Sequence, residues 1–339
     1  MFGANQMARP PRLRDVAERA EVSIALVSSY LNTPHLVGKK SAVKIAQAIE
    51  DLHFVPNESA RQLRRGVSRM IAFVAFDVGD PFFSSVARGA QARASEAGLY
   101  LVLADTNGHA ETEREYLAMF EEQRVRGVIL APAQDPREYL ASLRRSGVPA
   151  VLIDQRPPDG RSSAVVVDNV LGGREAAEHL LGLGRRRIAV LGGEASIPQV
   201  LDRRAGVEAA VAGVEGASML VVDTHDRDAA AGREAAVRVL ALPNRPDAIF
   251  CINDTIAAGA LQVLAENRVR VPEDIAVIGY NDTAELSGLF SLSSVSQPHE
   301  AFGAAAVELL LDEIGADAGA LRRQIVFSPK LVVRQSSAG

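Results

Sequence analysis

Residues Val22–Asn32 read Val-Ser-Ile-Ala-Leu-Val-Ser-Ser-Tyr-Leu-Asn, directly after a segment with helical periodicity. That upstream segment places one set of apolar residues on a single helical face, namely Leu13, Val16, Ala17 and Ala20. Ser23 stands where a second helix needs an N-cap, because its side-chain oxygen can accept a backbone N–H. Two short helices this close together predict a helix-turn-helix, whose second helix can lie in the major groove of DNA. On spacing alone, an ordinary hairpin of two helices fits equally well.

Charge is distributed unevenly along the chain. Residues 1–69 contain 11 Lys/Arg and 6 Asp/Glu, a balance of +5, whereas the whole chain carries −5 and the remainder therefore −10. A basic N-terminal segment before an acidic body is typical of a DNA-binding domain attached to another domain, although chance can produce such a fluctuation over 69 residues. The charge pattern favours the DNA-binding interpretation of the two helices.

The N-terminal segment continues with a third predicted helix from about Ser41 to Leu52. Its apolar side is predicted to comprise Val43, Ile45, Ala46 and Ile49. Beyond it, Asn57 can cap a short helix that runs to Arg65. An isolated helix of about eight residues is marginal in water, so we expect this segment to order when a partner binds it.

From Met70 onwards, short apolar runs alternate with amphipathic stretches. This alternation predicts βαβ units with parallel sheets, and the runs are 70–76, 99–104, 127–131, 150–153, 187–191, 219–222, 248–252 and 275–278. Eight or more strands exceed one comfortable sheet, so two lobes are expected. Polar residues follow many of these strands, which predicts a ligand cleft at the carboxyl ends of the strands.

Length and composition set further bounds. A chain of 339 residues predicts two to three domains, and it has no apolar run of the roughly 18 residues that a membrane span needs. The single cysteine, Cys251, lies in an apparent buried strand and allows no intrachain disulfide, which suits a reducing cytoplasm. Phosphate-binding, nucleophile-elbow and zinc-protease motifs are missing, and the six histidines show no metal spacing. We therefore expect no enzyme activity, no metal and no cofactor, and a secreted ligand-binding transport protein is disfavoured by the basic N-terminal segment.

Several segments, in order, resemble the LacI/GalR family of bacterial transcriptional repressors. They are Asp15-Val16-Ala17 with Val22-Ser23, Pro56-Asn57 with Ala60 and Leu63, Asp80-Pro81-Phe82-Phe83, Gly127-Val128-Ile129, Asp168-Asn169, Asn253-Asp254, Gly279-Tyr280-Asn281-Asp282, Gln297-Pro298 and Leu331-Val332-Val333-Arg334. Each is weak alone, but their order and spacing over about residues 13–334 are specific.

The resemblance implies an all-α helix-turn-helix head over residues 1–55, a hinge helix and linker over 56–69, and a core over 70–339. That core would be an α/β structure of two lobes with parallel sheets, like the periplasmic binding proteins. The N-lobe would take about 70–167 and 296–325, and the C-lobe about 168–295 and 326–339. The resemblance also implies a homodimer on a pseudo-palindromic operator in double-stranded DNA. A dimer is favoured over a tetramer, because Gln335–Gly339 is too short for a tetramerising helix.

The resemblance places the DNA contacts in the head and the hinge. The residues that match DNA-binding positions are Ser23, Ile24, Ala25, Ser28, Ser29, Asn32, Asn57, Ala60 and Leu63. Leu63 matches the leucine that wedges into the minor groove, and its cationic neighbours make a core position less attractive.

This chain departs from the family pattern in the head. Leu26-Val27-Ser28-Ser29 replaces the usual Thr-Val-Ser-Arg, so an arginine suited to guanine is missing. The side chains of Ile24 and Ala25 cannot hydrogen-bond a base. Glu21 replaces a preferred glycine, which costs on the order of 1 kcal/mol if the turn needs a positive φ. We therefore expect an operator read more by shape, phosphates and hinge than by hydrogen bonds from the second helix.

The residues that match effector-binding positions of the family are Phe82, Asp154, Arg203, Arg227, Asn253, Asn281 and Gln297. Alternatives remain for two of them, since Asn253 could simply cap the following helix and Arg203 could be a surface charge with Arg204 in its place. Arg227 replaces a common aromatic residue, and Asn281 a common acid. Together they make the pocket two charge units more positive, which favours an anionic effector such as a sugar phosphate or organic acid over a plain sugar. The alternative is a regulator with a degenerate pocket and no effector.

Overall fold

The computed structural model describes residues 9, 11–55, 68–158, 160–193, 197–315 and 322–338. They fall into two compact units, Met1–Val67 and Ser68–Gly339. The first unit is the head, and the second holds both lobes of the core. No helix in the described ranges is long and apolar enough to cross a bilayer.

The head consists of three helices around a small apolar core. They are α1 (Leu13–Ala20), α2 (Ile24–Asn32) and α3 (Lys39–Asp51), with a short 3-10 turn at Pro34–Leu36 between the last two. The predicted cap is confirmed, because the backbone N–H of Leu26 donates to Ser23 Oγ at 3.2 Å. Fully buried Val16, Val27 and Ile45 come from all three helices and form the centre of the core.

The predicted apolar side of α3 is partly wrong. Val43 is 70% exposed and Ala46 is also exposed, whereas Ile45 and Ala48 are buried. Ile45, Ala48 and Ile49 recur at spacings of three and four residues and so share one face, from which Val43 is displaced by two positions.

The N-lobe is built on a six-stranded sheet in the order β11-β5-β4-β3-β1-β2. Its strands, all parallel to their neighbours, are β1 (Met70–Ala75), β2 (Tyr100–Asp105), β3 (Val128–Leu130), β4 (Ala150–Ile153), β5 (Ser163–Val167) and β11 (Gln324–Phe327). Its helices are α4 (Pro81–Glu96), α5 (Ala110–Glu122), α6 (Arg137–Arg145) and α12 (His299–Gly315).

Helices α4 and α12 pack with their backbones unusually close. A Cβ atom added at Gly89 would lie 1.9 Å from the carbonyl oxygen of Glu300, and one added at Gly303 would lie 2.0 Å from that of Val86. Only glycine fits at these two positions. The close packing fixes α4, and with it the loop between β1 and α4.

The C-lobe is built on a second six-stranded sheet in the order β12-β10-β9-β8-β6-β7. Its strands are β6 (Arg187–Leu191), β7 (Ser218–Val222), β8 (Ala248–Cys251), β9 (Ala276–Asn281), β10 (Ser293–Ser296) and β12 (Lys330–Val332), of which β12 alone pairs antiparallel in the described residues. Its helices are α7 (Asn169–Gly182), α8 (Pro198–Ala212), α9 (Ala229–Leu240), α10 (Asp254–Glu266) and α11 (Ala284–Phe290).

The predicted fold class is confirmed: an all-helical head and an α/β core with two parallel-sheet lobes. The chain passes from one lobe to the other after β5, β10 and β11. The expected lobe boundary near residue 325 falls inside β11, which ends at Phe327. Because the loops that follow the strands of both sheets meet at the same cleft, the topology places the candidate ligand site there.

Candidate functional site

One side of α2, near its N-terminus, is exposed to solvent. Ser23, Ile24, Ala25 and Ser29 are all exposed, and Ile24 is exposed by 46%. Val27, on the opposite side of the helix, is fully buried and anchors α2 to the head. The exposed face therefore offers apolar surface and two hydroxyl groups, without any charged side chain from α2 itself.

Two further predicted DNA-binding residues interact with each other near the end of α2. Asn32 donates through Nδ2 to the carbonyl oxygen of Ser28 at 2.8 Å, and both side chains are partly buried. Asn57, Ala60 and Leu63, like the predicted hinge helix, lie outside the described residues.

Glu21 has a left-handed backbone conformation in the turn between α1 and α2. Its φ of 57° and ψ of 46° lie in the region that favours glycine. Its carboxylate accepts a hydrogen bond from Lys44 Nζ at 2.9 Å, an ion pair at an exposed position. The turn thus requires the positive φ for which the family prefers glycine, and this chain forms it with a glutamate.

The core contains a cavity of about 450 Å³ at the carboxyl ends of the strands of both sheets. The N-lobe contributes two aromatic rings, the segment after β3 and the segment after β4; the C-lobe contributes the start of α8 and the loop before α9. The lining residues are Phe76, Phe83, Ala131, Pro132, Ala133, Gln134, Asp135, Asp154, Gln155, Pro158, Ile197, Pro198, Gln199 and Arg227.

Arg227 lies in this cavity with its guanidinium group against the N-lobe. Its guanidinium carbon is 4.0 Å from the centre of the Phe76 ring. Its Nη2 is buried and has no hydrogen-bond acceptor among the described residues. Burial lowers the pKa of Arg227, and the nearby carboxylates of Asp80 and Asp77 oppose that shift.

Asp154 also lines the cavity and has a strained backbone, with φ of 59°. Burial raises the pKa of Asp154 to about 6, against the opposing effects of Arg203 and Arg227. Its Oδ1 is buried and has no hydrogen-bond donor among the described residues. The cavity therefore presents one unsatisfied donor and one unsatisfied acceptor.

The other five residues predicted to bind an effector are buried and do not line the cavity. Phe82 packs edge-on against Phe83, with ring centres 5.0 Å apart. Asn281 accepts a hydrogen bond from Gln297 Nε2 at 2.8 Å, at one of the crossings between the lobes.

The two alternatives weighed for Asn253 and Arg203 have different outcomes. Asn253 does cap α10, because its Oδ1 accepts from the backbone N–H of Ile256 at 2.8 Å. Arg203 is not a surface charge, since it is only 6% exposed.

Sequence reasoning missed Phe76 and the segment 131–135 as parts of the cavity, whereas Phe83 lies in the loop segment 77–83 that was expected at the cleft. A usable signal existed for the segment 131–135, since Ala131 is the last residue of the predicted strand 127–131 and so stands at the carboxyl end of the sheet. Phe76 falls at the end of the apolar run 70–76, where an aromatic ring on a cavity wall and one in the interior have the same sequence signature.

Comparisons with known proteins identify both parts of the chain. Residues 12–57 match the profile of "Bacterial regulatory proteins, lacI family", and residues 177–337 match the "Periplasmic binding protein-like domain". The HTH-type transcriptional repressor PurR of Photobacterium profundum is 31% identical over 329 residues, covering 96% of this chain and 98% of PurR. The chain belongs to the LacI family.

Other relatives agree with this assignment. The HTH-type transcriptional regulator DegA of Bacillus subtilis is 32% identical over 338 residues, covering 96% of this chain and 97% of DegA. The structure of the lac repressor dimer bound to operator and the anti-inducer ONPF superposes with a TM-score of 0.84 at 26% identity, covering 98% and 100% of the two chains. The CelR–cellobiose complex superposes with a TM-score of 0.72 at 29% identity, covering 96% and 100%.

This LacI-family protein is therefore a DNA-binding transcriptional repressor under the control of a small molecule. LacI-family structures bind operator DNA and small-molecule effectors as dimers, and the members of the family are transcriptional regulators. The alternative of a regulator with a degenerate pocket is not favoured, since its structural neighbours include complexes with small molecules.

Proposed function

We propose that this LacI-family repressor acts in the cytoplasm as a homodimer, without a membrane partner. It would bind a pseudo-palindromic operator through α2 of each head and respond to an anionic effector in the cleft. The observation that carries the DNA-binding part is the exposure of Ser23, Ile24, Ala25 and Ser29 on a helix that fully buried Val27 anchors to the head.

The composition of that turn supports an atypical mode of reading. Ile24 and Ala25 can touch thymine methyl groups but cannot hydrogen-bond base edges, and Ser29 offers a single hydroxyl. Phosphate contacts, DNA shape and the segment containing Asn57, Ala60 and Leu63 would then supply more of the affinity.

Binding of the full chain to its own upstream DNA, followed by fluorescence anisotropy, tests the DNA-binding part. Ala25→Asp places a negative charge against the phosphates, so we expect the affinity to fall by about tenfold or more. Ala46→Asp, at an exposed position on α3, is the matched control and should bind nearly as well as the wild type. Equal binding by the wild type, by Ala25→Asp and by residues 68–339 alone would contradict the proposal.

Selection from random DNA tests the mode of reading. We expect half-sites without a strongly required guanine, and a new guanine preference in Ser29→Arg. A sharp, guanine-anchored half-site that disappears in Ser29→Ala would overturn the atypical mode while leaving DNA binding intact.

Two unpaired sheet edges support the homodimer. Strand β2 ends the N-lobe sheet and exposes Tyr100 by 58% and Leu103 by 42%, and β7 ends the C-lobe sheet and exposes Leu220 by 42%. An exposed apolar edge strand can pair with another chain, and exposed apolar patches mark interaction surfaces.

Analytical ultracentrifugation tests this dimer. Leu220→Asp should shift the full chain toward the monomer, whereas Leu183→Asp, at an exposed position after α7, should leave its mass unchanged. Equal masses for both variants and the wild type would argue against the β7 edge as an interface.

Two buried orphan atoms support the effector class. Arg227 Nη2 needs an acceptor and Asp154 Oδ1 needs a donor, and an anion that carries a hydroxyl group provides both. Sugar phosphates and hydroxy acids combine these groups, and Phe76 and Phe83 supply apolar contact.

Thermal shift with matched pairs, such as glucose with glucose 6-phosphate and glycerol with glycerate, tests the effector class. Binding to the native state raises the midpoint of unfolding, so we expect the anionic member of a pair to raise it more. That preference should vanish in Arg227→Met. A stronger response to neutral sugars, unchanged in Arg227→Met, would contradict the anionic class.

A further inference from the structure

We propose that Arg227 is a built-in clasp that holds the two lobes of the core together through contacts made by the chain itself. The inference deepens the proposed function, because it concerns the regulation of the same cleft. It gives Arg227 a role in lobe closure that does not require a bound effector.

The side chain of Arg227 reaches from the C-lobe to the N-lobe. It belongs to the loop between β7 and α9, whereas Phe76 directly follows β1 in the other sheet. The distance of 4.0 Å between the guanidinium carbon and the ring centre is a close cation–π contact. Opening the cleft would separate these two groups and return the guanidinium to water.

Carboxylates of the N-lobe also attract the guanidinium. Asp80 and Asp77, both in the loop between β1 and α4, are the carboxylates that most favour the charged form of Arg227. Arg227 is only partly exposed and its Nη2 is buried, so these attractions are screened less by salt than those of an exposed ion pair. Arg227 thus contacts the N-lobe by stacking on Phe76, and the charges of the same N-lobe loop favour its charged form there.

Asn253 of the C-lobe fixes the backbone of Arg227 and also links the two lobes through Asp80. Asn253 Nδ2 donates to the carbonyl oxygen of Arg227 at 2.9 Å and approaches Asp80 Oδ2 at 3.4 Å. Asn253 also caps α10, and Asp80 caps α4 through the backbone N–H of Phe82 at 2.9 Å. The N-cap residues of two helices from opposite lobes, Asn253 and Asp80, are therefore in contact. Together they position the loop that carries Arg227.

A third contact bridges the lobes at a separate point of the cavity. Gln199 Nε2, at the start of α8, donates to the carbonyl oxygen of Asp154, which follows β4. This contact does not involve Arg227. Loss of the clasp should therefore loosen the lobes rather than separate them fully, and an intermediate degree of opening is expected.

The clasp has a consequence for regulation. An effector shifts an equilibrium between two states only through its differential affinity for them. Because Arg227 already favours the closed state, the free protein is mostly closed. A ligand that binds the closed state therefore raises the closed population less than it would without the clasp.

The test is a distance measurement between spin labels in the full chain, without DNA or added ligand. The labels replace exposed residues on either side of the cavity, Glu138→Cys near the segment after β3 and Leu201→Cys on α8. Native Cys251 is fully buried and does not compete for the label. We expect one narrow distance distribution in the labelled parent, and a broader distribution shifted several ångströms longer in Arg227→Met.

Two further variants make the result specific. Asp80→Asn keeps an N-cap for α4 but removes the charge that faces Arg227, so it should also lengthen the distance. Arg233→Met removes an exposed arginine of α9 whose ion pair with Glu266 lies within the C-lobe, so it should leave the distribution unchanged. Circular dichroism of each variant checks that it is folded.

Unchanged distributions in folded Arg227→Met and Asp80→Asn would overturn the clasp. Because the measurement uses neither DNA nor effector, it gives its answer even if the proposed operator mode or effector class fails. Operator affinity of the free Arg227→Met protein is then a separate readout. A changed distance with unchanged affinity would support the clasp and contradict its control of DNA binding.

Discussion

The guanidinium carbon of Arg203 lies 3.7 Å from the centre of the Tyr280 ring, inside the C-lobe. Arg203 Nε donates to Asn169 Oδ1 at 2.8 Å, and its Nη1 donates to the carbonyl oxygen of Ile252. One side chain of α8 thus joins the start of α7, the end of β8 and strand β9. The N–H groups of Arg203 therefore bind acceptors inside the C-lobe, whereas the sequence predicted that they would bind the effector.

Arg203→Met should destabilise the core by about 2–4 kcal/mol, because it leaves the buried Ile252 carbonyl and the Asn169 side chain without their donors. Urea unfolding followed by circular dichroism measures the change. Arg233→Met removes only an exposed ion pair and should cost less than about 1 kcal/mol. If Arg203→Met lowered the free energy of unfolding as little as Arg233→Met does, the N–H groups of Arg203 would be available to a ligand.

Glu113 gives the core a pH-dependent stability. It is fully buried on α5, its Oε2 accepts from the backbone N–H of Ala133 at 2.6 Å, and burial raises its pKa to about 7. The native state therefore keeps the proton that the unfolded state releases near pH 4.5. The contribution of Glu113 to the free energy of unfolding is therefore fully present below about pH 4.5, and it is lost as the pH rises through about 7.

Glu113→Gln should remove this loss and raise the free energy of unfolding at pH 8 by about 2–3 kcal/mol relative to the wild type. The difference between the two proteins should shrink or reverse near pH 4. Urea unfolding across pH 4–8 measures it. Glu111 is an exposed acid in the same first turn of α5, so Glu111→Gln should show no such pH dependence. If the free energy of unfolding of Glu113→Gln and of the wild type changed in parallel with pH, the argument from the buried carboxyl group would be wrong.

Glu21→Gly should stabilise the head by about 1 kcal/mol, because glycine adopts the left-handed conformation without the steric cost that glutamate incurs. Part of that gain is offset by the lost ion pair with Lys44, which is exposed and weak. Hydrogen exchange of α1 and α2 amides in the full chain measures the gain as slower exchange.

Lys44→Ala separates these two contributions, since it removes the ion pair and leaves the backbone of Glu21 unchanged. It should accelerate exchange slightly or not at all. Faster exchange in Glu21→Gly than in the wild type would show that the turn does not pay a conformational cost for glutamate.

Cys251 should be inert in the folded protein. Its side chain, on β8, is fully buried. Burial raises the pKa of its thiol, so the reactive thiolate is scarce. A colorimetric thiol reagent should detect no thiol in the native protein and one per chain in concentrated denaturant. Rapid labelling under native conditions would mean that β8 opens readily to solvent.

The fold was largely predictable because its signals are local. The Ser23 cap and the helical spacing of Val16, Ala17 and Ala20 predict the head, and the apolar runs predict eight strands of the two sheets. Strands β5, β10, β11 and β12 were not predicted. Strand β10 has one apolar residue in four, and β12 is only three residues long and pairs with β10, a segment distant along the chain.

The sequence by itself determined the class of protein and the predicted DNA-facing residues of α2, through segments that resemble the LacI/GalR family. It also determined the helices of the head and the position of the cleft, since periodicity, caps and the ends of strands are properties of neighbouring residues. Only the tertiary structure decided which arginine faces the cavity. Arg203 finds acceptors in Asn169 and Ile252, and so it is satisfied inside the C-lobe. Arg227 stacks on Phe76 and keeps an unpaired donor. Two arginines look alike in sequence, but the free energy of burying each one depends on partners that folding brings from distant segments.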